Sequence, residues 1–353
     1  MALKVYSVPA VAAERRHFMY RHDLESLLVA DDVHSRKREA AGVALVSVLG
    51  VNMIACGNRC CWHRQLDMSA LRFAEPLPED EGKIKVGRYA LWDSGAGHGI
   101  RAVGRLCKRK QDEIRSMSVA DFMRHHHESP LVFAEPPEPL AVVSDYFRGV
   151  HQVIDDGAVF KYDYAINEVT DVDVLTGYHV PDEFPCLLRE AAAQGMLSPE
   201  GKRLSWAGVT TWYRYRGTRG STFAMHREDK RLFSINFLFR GAPKLWLVTS
   251  PEYYERVLLE LKHDLMLAGD DEAACPAFEM HKSFMLDEDW YKSKGIAVNV
   301  VMQKPGQAVI LYPRAVHSGF NLGLNDAIAT NFGLQSWLPD GLNCPVVSPG
   351  VKR

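Results

Sequence analysis

From Val209 onward the chain alternates short apolar runs with Gly and Pro turns. The runs Val209–Tyr215, Ser221–Met225, Leu232–Phe239, Lys244–Val248, Val298–Met302, Ala308–Tyr312 and Ala327–Phe332 are rich in Val, Thr, Tyr, Phe and Ile. β-branched and aromatic side chains suit a pleated, half-buried surface, and several such runs at this spacing predict a β-sandwich or barrel. One stretch breaks the pattern. After Ser250-Pro251, residues 252–267 place Tyr254, Val257, Leu258, Leu261 and Leu265 on one face at helical spacing. In the first half, helices are predicted over 12–29, over 118–127 with Ser118 as cap, and over 181–194. Pro-rich polar stretches at 75–82 and 128–139 read as loops. The second is expected to divide an N-terminal region, residues 1–140, from a domain over 141–340 and a tail at 341–353, the alternative being that either stretch is a long loop inside one domain. The most apolar stretch, Val43–Cys56, has 14 residues. That is short of the roughly 20 that span a bilayer, so it reads as a buried strand or helix.

Composition narrows the class. With 353 residues, 47% hydrophobic and 24% charged, the chain fits a globular protein with a sizeable core. A net charge of −2 argues against a molecule-wide clamp for nucleic acid. The basic run Arg105-Leu-Cys-Lys-Arg-Lys110 reads as a solvated helix face and gives a nuclear location slight support. Seven cysteines, irregularly spaced, argue against a disulfide framework and for a reducing compartment. Met1–Arg15 lacks the pattern of a secretory signal, so a nuclear or cytoplasmic protein is expected.

The candidate chemistry centres on His226-Arg227-Glu228, which follows the strand-like run ending at Met225. Residues i and i+2 of a strand share a face, so His226 and Glu228 can reach one metal. His317, in Tyr312-Pro-Arg-Ala-Val-His317-Ser-Gly-Phe-Asn321, offers a third ligand. Two histidines and a carboxylate form the facial triad of non-haem Fe(II) oxygenases, which leaves coordination positions for a 2-oxo acid and O2. Taken alone, His-x-Glu is common and would read as a surface histidine beside a solvated glutamate.

The surrounding runs change that reading. They are Gly208-Val-Thr-Thr-Trp-Tyr-Arg-Tyr215, Ser221-Thr-Phe-Ala-Met-His-Arg-Glu-Asp229, Phe233-Ser-Ile-Asn-Phe237, Gly241-Ala-Pro-Lys-Leu-Trp246, and His317-Ser-Gly-Phe-Asn-Leu-Gly-Leu-Asn325 with Ala329-Thr-Asn-Phe332. Over about 206–337 the chain resembles the Jumonji C (JmjC) domain, and within it the trimethyl-lysine histone demethylases. The resemblance implies a mainly β, α+β fold: a double-stranded β-helix, jelly-roll or cupin-like, with surrounding helices and a mixed N-terminal region. It implies Fe(II) on His226, Glu228 and His317, and 2-oxoglutarate held by Lys244 and Asn236, with Phe223 and Trp246 packed beside it. It also asks for an upstream tyrosine, for which Tyr164 is preferred over Tyr162. Gly208, Tyr215, Ala329, Thr330 and Asn331 fall where the demethylases line the methyl-ammonium pocket.

Relatives also carry a structural zinc. Cys275 and His281 have the spacing of its first half, and Cys344 would be a third ligand. The expected fourth cysteine is missing, leaving Cys56, Cys60, Cys61, His63 or Cys186 as candidates. Three functions are open: demethylation of N-methyl-lysine on a histone tail, hydroxylation of another protein, RNA or small molecule, and non-catalytic binding. The first fits the matching runs. The second gains from the unmatched N-terminal region and the incomplete zinc pattern. O2 is the implied co-substrate, and neither a membrane nor direct nucleic-acid contact is expected.

Overall fold

The computed structural model describes residues 41–47, 82–93, 106–127, 138–170, 207–209, 211–267, 269–333, 337 and 341. The helices expected over 12–29 and 181–194, most of both loops, and Cys344 lie outside them.

Two antiparallel sheets form the frame. The larger one contains β1 (Val43–Ser47), β2 (Lys83–Asp93), β3 (Leu106–Ser118), β4 (Phe160–Thr170), β5 (Trp212–Gly217), β7 (Phe233–Gly241), β9 (Phe284–Leu286), β11 (Gln307–Leu311) and β13 (Asn325–Phe332). Their spatial order is β1-β11-β7-β13-β5-β4-β2-β3-β9. The smaller sheet holds β6 (Thr222–His226), β8 (Lys244–Thr249), β10 (Val298–Gln303) and β12 (His317–Asn321) in the order β10-β8-β12-β6. From β5 to β8, and again from β10 to β13, successive strands alternate between the sheets. That alternation is the jelly-roll winding of a double-stranded β-helix. Each of the seven expected strand runs became a strand, and three strands from the first 140 residues extend the larger sheet.

Helices cover the frame. The short helix α1 (Val119–His125) starts where expected, with the Ser118 hydroxyl accepting from the Asp121 amide at 3.0 Å. The helix α2 (Pro139–Asp155) has Pro139 at its start and buries Val143, Phe147 and Val150. Its Tyr146 ring stacks on Phe320 of β12 at 3.8 Å, which ties it to the smaller sheet. After a 3-10 turn at Pro251–Tyr253, α3 (Tyr254–Leu267) buries Val257, Leu261 and Leu265. Each contributes roughly 1.5–3 kcal/mol relative to exposure. A short helix, α4 (Glu288–Ser293), buries Trp290 and Tyr291.

The basic run departs from expectation. Residues 106–110 enter β3 and are strand, not helix. Lys108 pairs with Asp270 and Glu272 at 2.8 and 3.0 Å, and Arg109 turns inward. Strand pairing on both sides, with β2 and β9, overrides the polar local sequence. Among the described residues no helix is long and apolar enough to cross a membrane.

Candidate metal centre

His226 closes β6 and His317 opens β12, and the two are directly paired across the antiparallel ladder. Their rings lie 4.3 Å apart. Glu228 sits just past β6 in an extended conformation, before the 3-10 turn Asp229–Arg231. One ligand atom from each of His226, Glu228 and His317 lies within 4.8 Å of the others, and among the described residues this is the one group with metal-binding geometry.

Hydrogen bonds set the direction of each ligand. His226 Nδ1 meets the Ala224 carbonyl at 2.7 Å, and His317 Nδ1 meets the Ala315 carbonyl at 3.0 Å. Both rings therefore keep Nε2 for the centre. Glu228 Oε1 lies 3.4 Å from His317 Nε2, and Glu228 Oε2 accepts from Asn331 Nδ2 at 2.8 Å. Burial, then the charges of Lys282 and His317, push His226 well below the ordinary histidine range, so it stands as neutral imidazole. Burial acts to raise the Glu228 carboxyl. The hydrogen bond and charge of His317, with His226 and Lys282, outweigh it and hold Glu228 ionised.

The middle residue of the tripeptide points the other way. Arg227 is buried, and its Nε donates to Glu279 Oε1 and to the Tyr254 hydroxyl, both at 3.0 Å. This anchor turns His226 and Glu228 toward the cavity. Sequence reasoning missed Glu279, which lies 52 positions away and carries no local signal.

The centre faces a cavity of about 630 Å³ between the two sheets. Lys244, on β8, lines it and is fully buried, with its Nζ 5.7–6.0 Å from the rings of Trp246, Phe223 and Tyr215. Burial pushes its ammonium down to about 7, opposed only by the charge of Asp326. Asp326 is itself held at the back of the larger sheet by Arg214 and Arg240. Among the described residues no carboxylate contacts Lys244. Asn236 also lines the cavity, and its buried Oδ1 has no partner among the described residues. Trp246 is fixed by donating to Gln303 Oε1 at 2.9 Å. Phe223 lies 4.6 Å from the Trp246 ring. Gly319 makes room for it, since a Cβ there would come within 2.4 Å of the Phe223 ring and 2.0 Å of the Leu245 carbonyl.

Tyr164 lines the cavity, whereas Tyr162 turns its hydroxyl to Arg109 and Thr222. Burial pushes both Tyr164 and Tyr215 above the ordinary tyrosine range, so both hydroxyls stay protonated. Tyr215, Ala329, Thr330 and Asn331 are on the wall. Gly208 is not, although its neighbours Ala207 and Val209 are, and its carbonyl accepts from the Asn331 amide at 2.7 Å. Its φ of +78° and the nearby Tyr213 ring, 2.3 Å from where a Cβ would sit, require glycine. Tyr213, Arg109 and Lys282 also line the cavity and had no signal in the sequence. Cys275 is a buried free thiol. His281 Nδ1 meets Glu272 Oε2 at 3.0 Å, and its Nε2 is buried without a partner among the described residues. These two form no three-ligand group with other described residues.

A jelly-roll that brings two histidines and a carboxylate to the mouth of an inter-sheet cavity has the architecture of a cupin-type metal site. Residues 213–332 match the family described as JmjC domain, hydroxylase. The chain therefore carries a JmjC domain over those residues, and it resembles the lysine-demethylase branch. It is 38% identical over 146 residues to the probable lysine-specific demethylase 4F of Homo sapiens, covering 41% of this chain and 22% of that protein. It is 37% identical over 146 residues to the lysine-specific demethylase 4D of Rattus norvegicus, covering 41% and 28%. For the lysine-specific demethylase 4B of Mus musculus the figures are 38% over 134 residues, 38% and 12%. The chain thus spans under a third of the length of these curated relatives.

Proposed function

We propose that the protein is an Fe(II)- and 2-oxoglutarate-dependent oxygenase that demethylates N-methyl-lysine on a histone tail or similar peptide. The observation that carries this reading is the pair of unmet polar groups beside the His226–Glu228–His317 set. Among the described residues Lys244 is a buried cation without a counter-ion, and Asn236 Oδ1 is a buried acceptor without a donor. Such groups are costly unless a ligand completes them. A dicarboxylate reaching from the metal to Lys244 does so, with the Tyr164 hydroxyl as a second donor. The donor set, two imidazoles and an ionised carboxylate, fits a divalent iron.

When bound, iron with 2-oxoglutarate and O2 supplies the oxidant that hydroxylates a substrate C–H bond, giving succinate and CO2. The chain's residues supply the rest. Asn331 holds the Glu228 carboxylate in place. Phe223 and Trp246 keep water from the cosubstrate end. Tyr213 and Tyr215 offer ring faces to a methylated ammonium. Hydroxylation of an N-methyl carbon yields a hemiaminal that breaks down to formaldehyde and the demethylated amine. The demethylase relatives favour that outcome over a stable alcohol. A nuclear location follows from a histone substrate. Zinc on Cys275 and His281 belongs to the proposal with Cys344 as third ligand, and metal analysis returning zinc beside iron tests it.

Calorimetric titration of the full chain with Fe(II) and 2-oxoglutarate under anaerobic conditions tests the cofactor assignment. One iron per chain is expected, lost in His226→Ala. Equal iron binding by wild type and His226→Ala removes this centre from the proposal.

A further inference from the structure

Three cations on the cavity wall, Arg109, Lys230 and Lys282, remain after the metal and the oxo acid are provided for, and Arg109 and Lys282 come from neighbouring backbone. Arg109, on β3, donates through Nε to the Tyr162 hydroxyl at 2.8 Å. Its guanidinium lies over the Tyr89 ring, 4.0 Å from the centroid, and Tyr89 and Tyr162 stack on one another at 5.6 Å. The groups that act on its charge are Tyr162, Tyr89 and Tyr164, and among the described residues no carboxylate pairs with it. The Arg109 amide donates to the Ser283 carbonyl at 2.6 Å. Lys282 directly precedes Ser283, so that bond sets its backbone beside β3. Lys282 has a left-handed φ of 54° and lines the wall. Its charge is felt by His226 and Glu228, yet among the described residues it makes no ion pair.

Arg109 is half-buried, and a guanidinium partly withdrawn from water is stabilised by an anion. The two tyrosines use only part of its five N–H donors. In the proposed complex both carboxylates of 2-oxoglutarate have partners, one at Lys244 and one at the metal. An anion carried by the substrate would complete Arg109. The planar fork of arginine suits a carboxylate or phosphate, which it binds through two parallel hydrogen bonds.

We infer that Arg109, with Lys282 beside it, forms an anion-recognition subsite that selects substrates bearing a carboxylate or phosphate close to the residue being oxidised. The inference rests on the methyl-lysine reading above and sharpens it. Arg109 and Lys282 repel a methyl-ammonium that comes near them, and an acidic neighbour on the same peptide offsets that repulsion.

The test is binding of peptides to the full chain loaded with Fe(II) and 2-oxoglutarate without O2, read by fluorescence anisotropy. The peptides share one sequence, with trimethyl-lysine or plain lysine at the centre and Ala, Glu or phosphoserine scanned through the flanking positions. At one position or more, wild type binds the Glu or phosphoserine peptide about 10-fold tighter than the Ala peptide. The two acidic arms separate a carboxylate from a phosphate source. The preference collapses in Arg109→Gln, shrinks in Lys282→Gln, survives in part in Arg109→Lys, and weakens in wild type as salt is raised. Equal affinity for Ala and acidic peptides in wild type overturns the subsite, as does a preference unchanged in a folded Arg109→Gln. If that variant fails to fold, the wild-type scan, its salt dependence and the Arg109→Lys variant still decide. The parallel lysine series separates the two claims. Acid preference without methyl preference sinks the demethylase reading and keeps the subsite; methyl preference without acid preference does the reverse.

Discussion

Arg227 and Glu279 form a buried ion pair, 3.0 Å apart, directly behind the two ligands of the metal-binding tripeptide. Each is almost wholly shielded from solvent, and the Tyr254 hydroxyl bonds to both. Removing one partner leaves a lone buried charge, which costs about 3–5 kcal/mol. Glu279→Ala is therefore expected to lower the unfolding free energy by about that amount and to weaken iron binding, because the turn that aims His226 and Glu228 loosens. Replacing both partners with apolar residues, Arg227→Met with Glu279→Leu, should recover most of the stability. Denaturant melts of the three proteins check this, and a Glu279→Ala protein as stable as wild type would show that the pair holds nothing in place.

Lys244 makes cosubstrate binding depend on pH. Burial lowers its folded value to about 7, while the unfolded lysine keeps its ordinary value near ~10.4. Between those limits the unfolded chain carries the extra proton. The cost of burying Lys244 is thus full below about pH 7 and fades as pH rises toward the unfolded value. Binding of 2-oxoglutarate has the opposite slope. The ammonium is already present below about pH 7, and above it binding must take up a proton. Affinity should be flat from pH 6 to 7 and then fall by up to about tenfold per unit. Titration calorimetry in buffers of different ionisation enthalpy should find proton uptake at pH 8 and little at pH 6. Affinity that stays constant from pH 6 to 9 would free Lys244 of this role.

Asn331 was expected on the substrate wall, and it also donates to Glu228 Oε2 at 2.8 Å. Partners that orient a metal ligand typically change metal affinity or activity 10–100-fold when removed. Asn331→Ala should fall in that range, with the iron dissociation constant moving more than the peptide affinity. If peptide affinity alone changes, Asn331 serves the substrate and not the metal.

Much of the frame was legible because its strands bury regular apolar and aromatic runs. The His226–Glu228 spacing was legible because strand periodicity is local. Several described elements carried no usable signal, β3, β2, β4 and α2 among them. β3 is a strand whose sequence includes Lys-Arg-Lys-Gln-Asp-Glu, and it forms because β2 and β9 pair with it from distant parts of the chain. β2 and β4 join the same long-range ladder. α2 begins at Pro139, inside a stretch that reads as loop. Choosing Tyr164 over Tyr162 could not be settled locally, since residues two apart on a strand face the same way. In the fold Tyr162 turns its hydroxyl to Arg109 and Thr222, while Tyr164 lines the cavity. Arg227, Glu279, Arg109 and Lys282 gain their meaning from contacts across the fold, which composition and spacing do not encode.

The central claim is tested most directly by turnover of the full chain with Fe(II), ascorbate, O2 and 2-oxoglutarate on a panel of trimethyl-lysine histone-tail peptides, followed by mass spectrometry. The account predicts a loss of about 14 Da per methyl group, matched by formaldehyde and succinate, and its absence in His226→Ala. A gain of about 16 Da without formaldehyde, or no succinate from wild type at all, would contradict it.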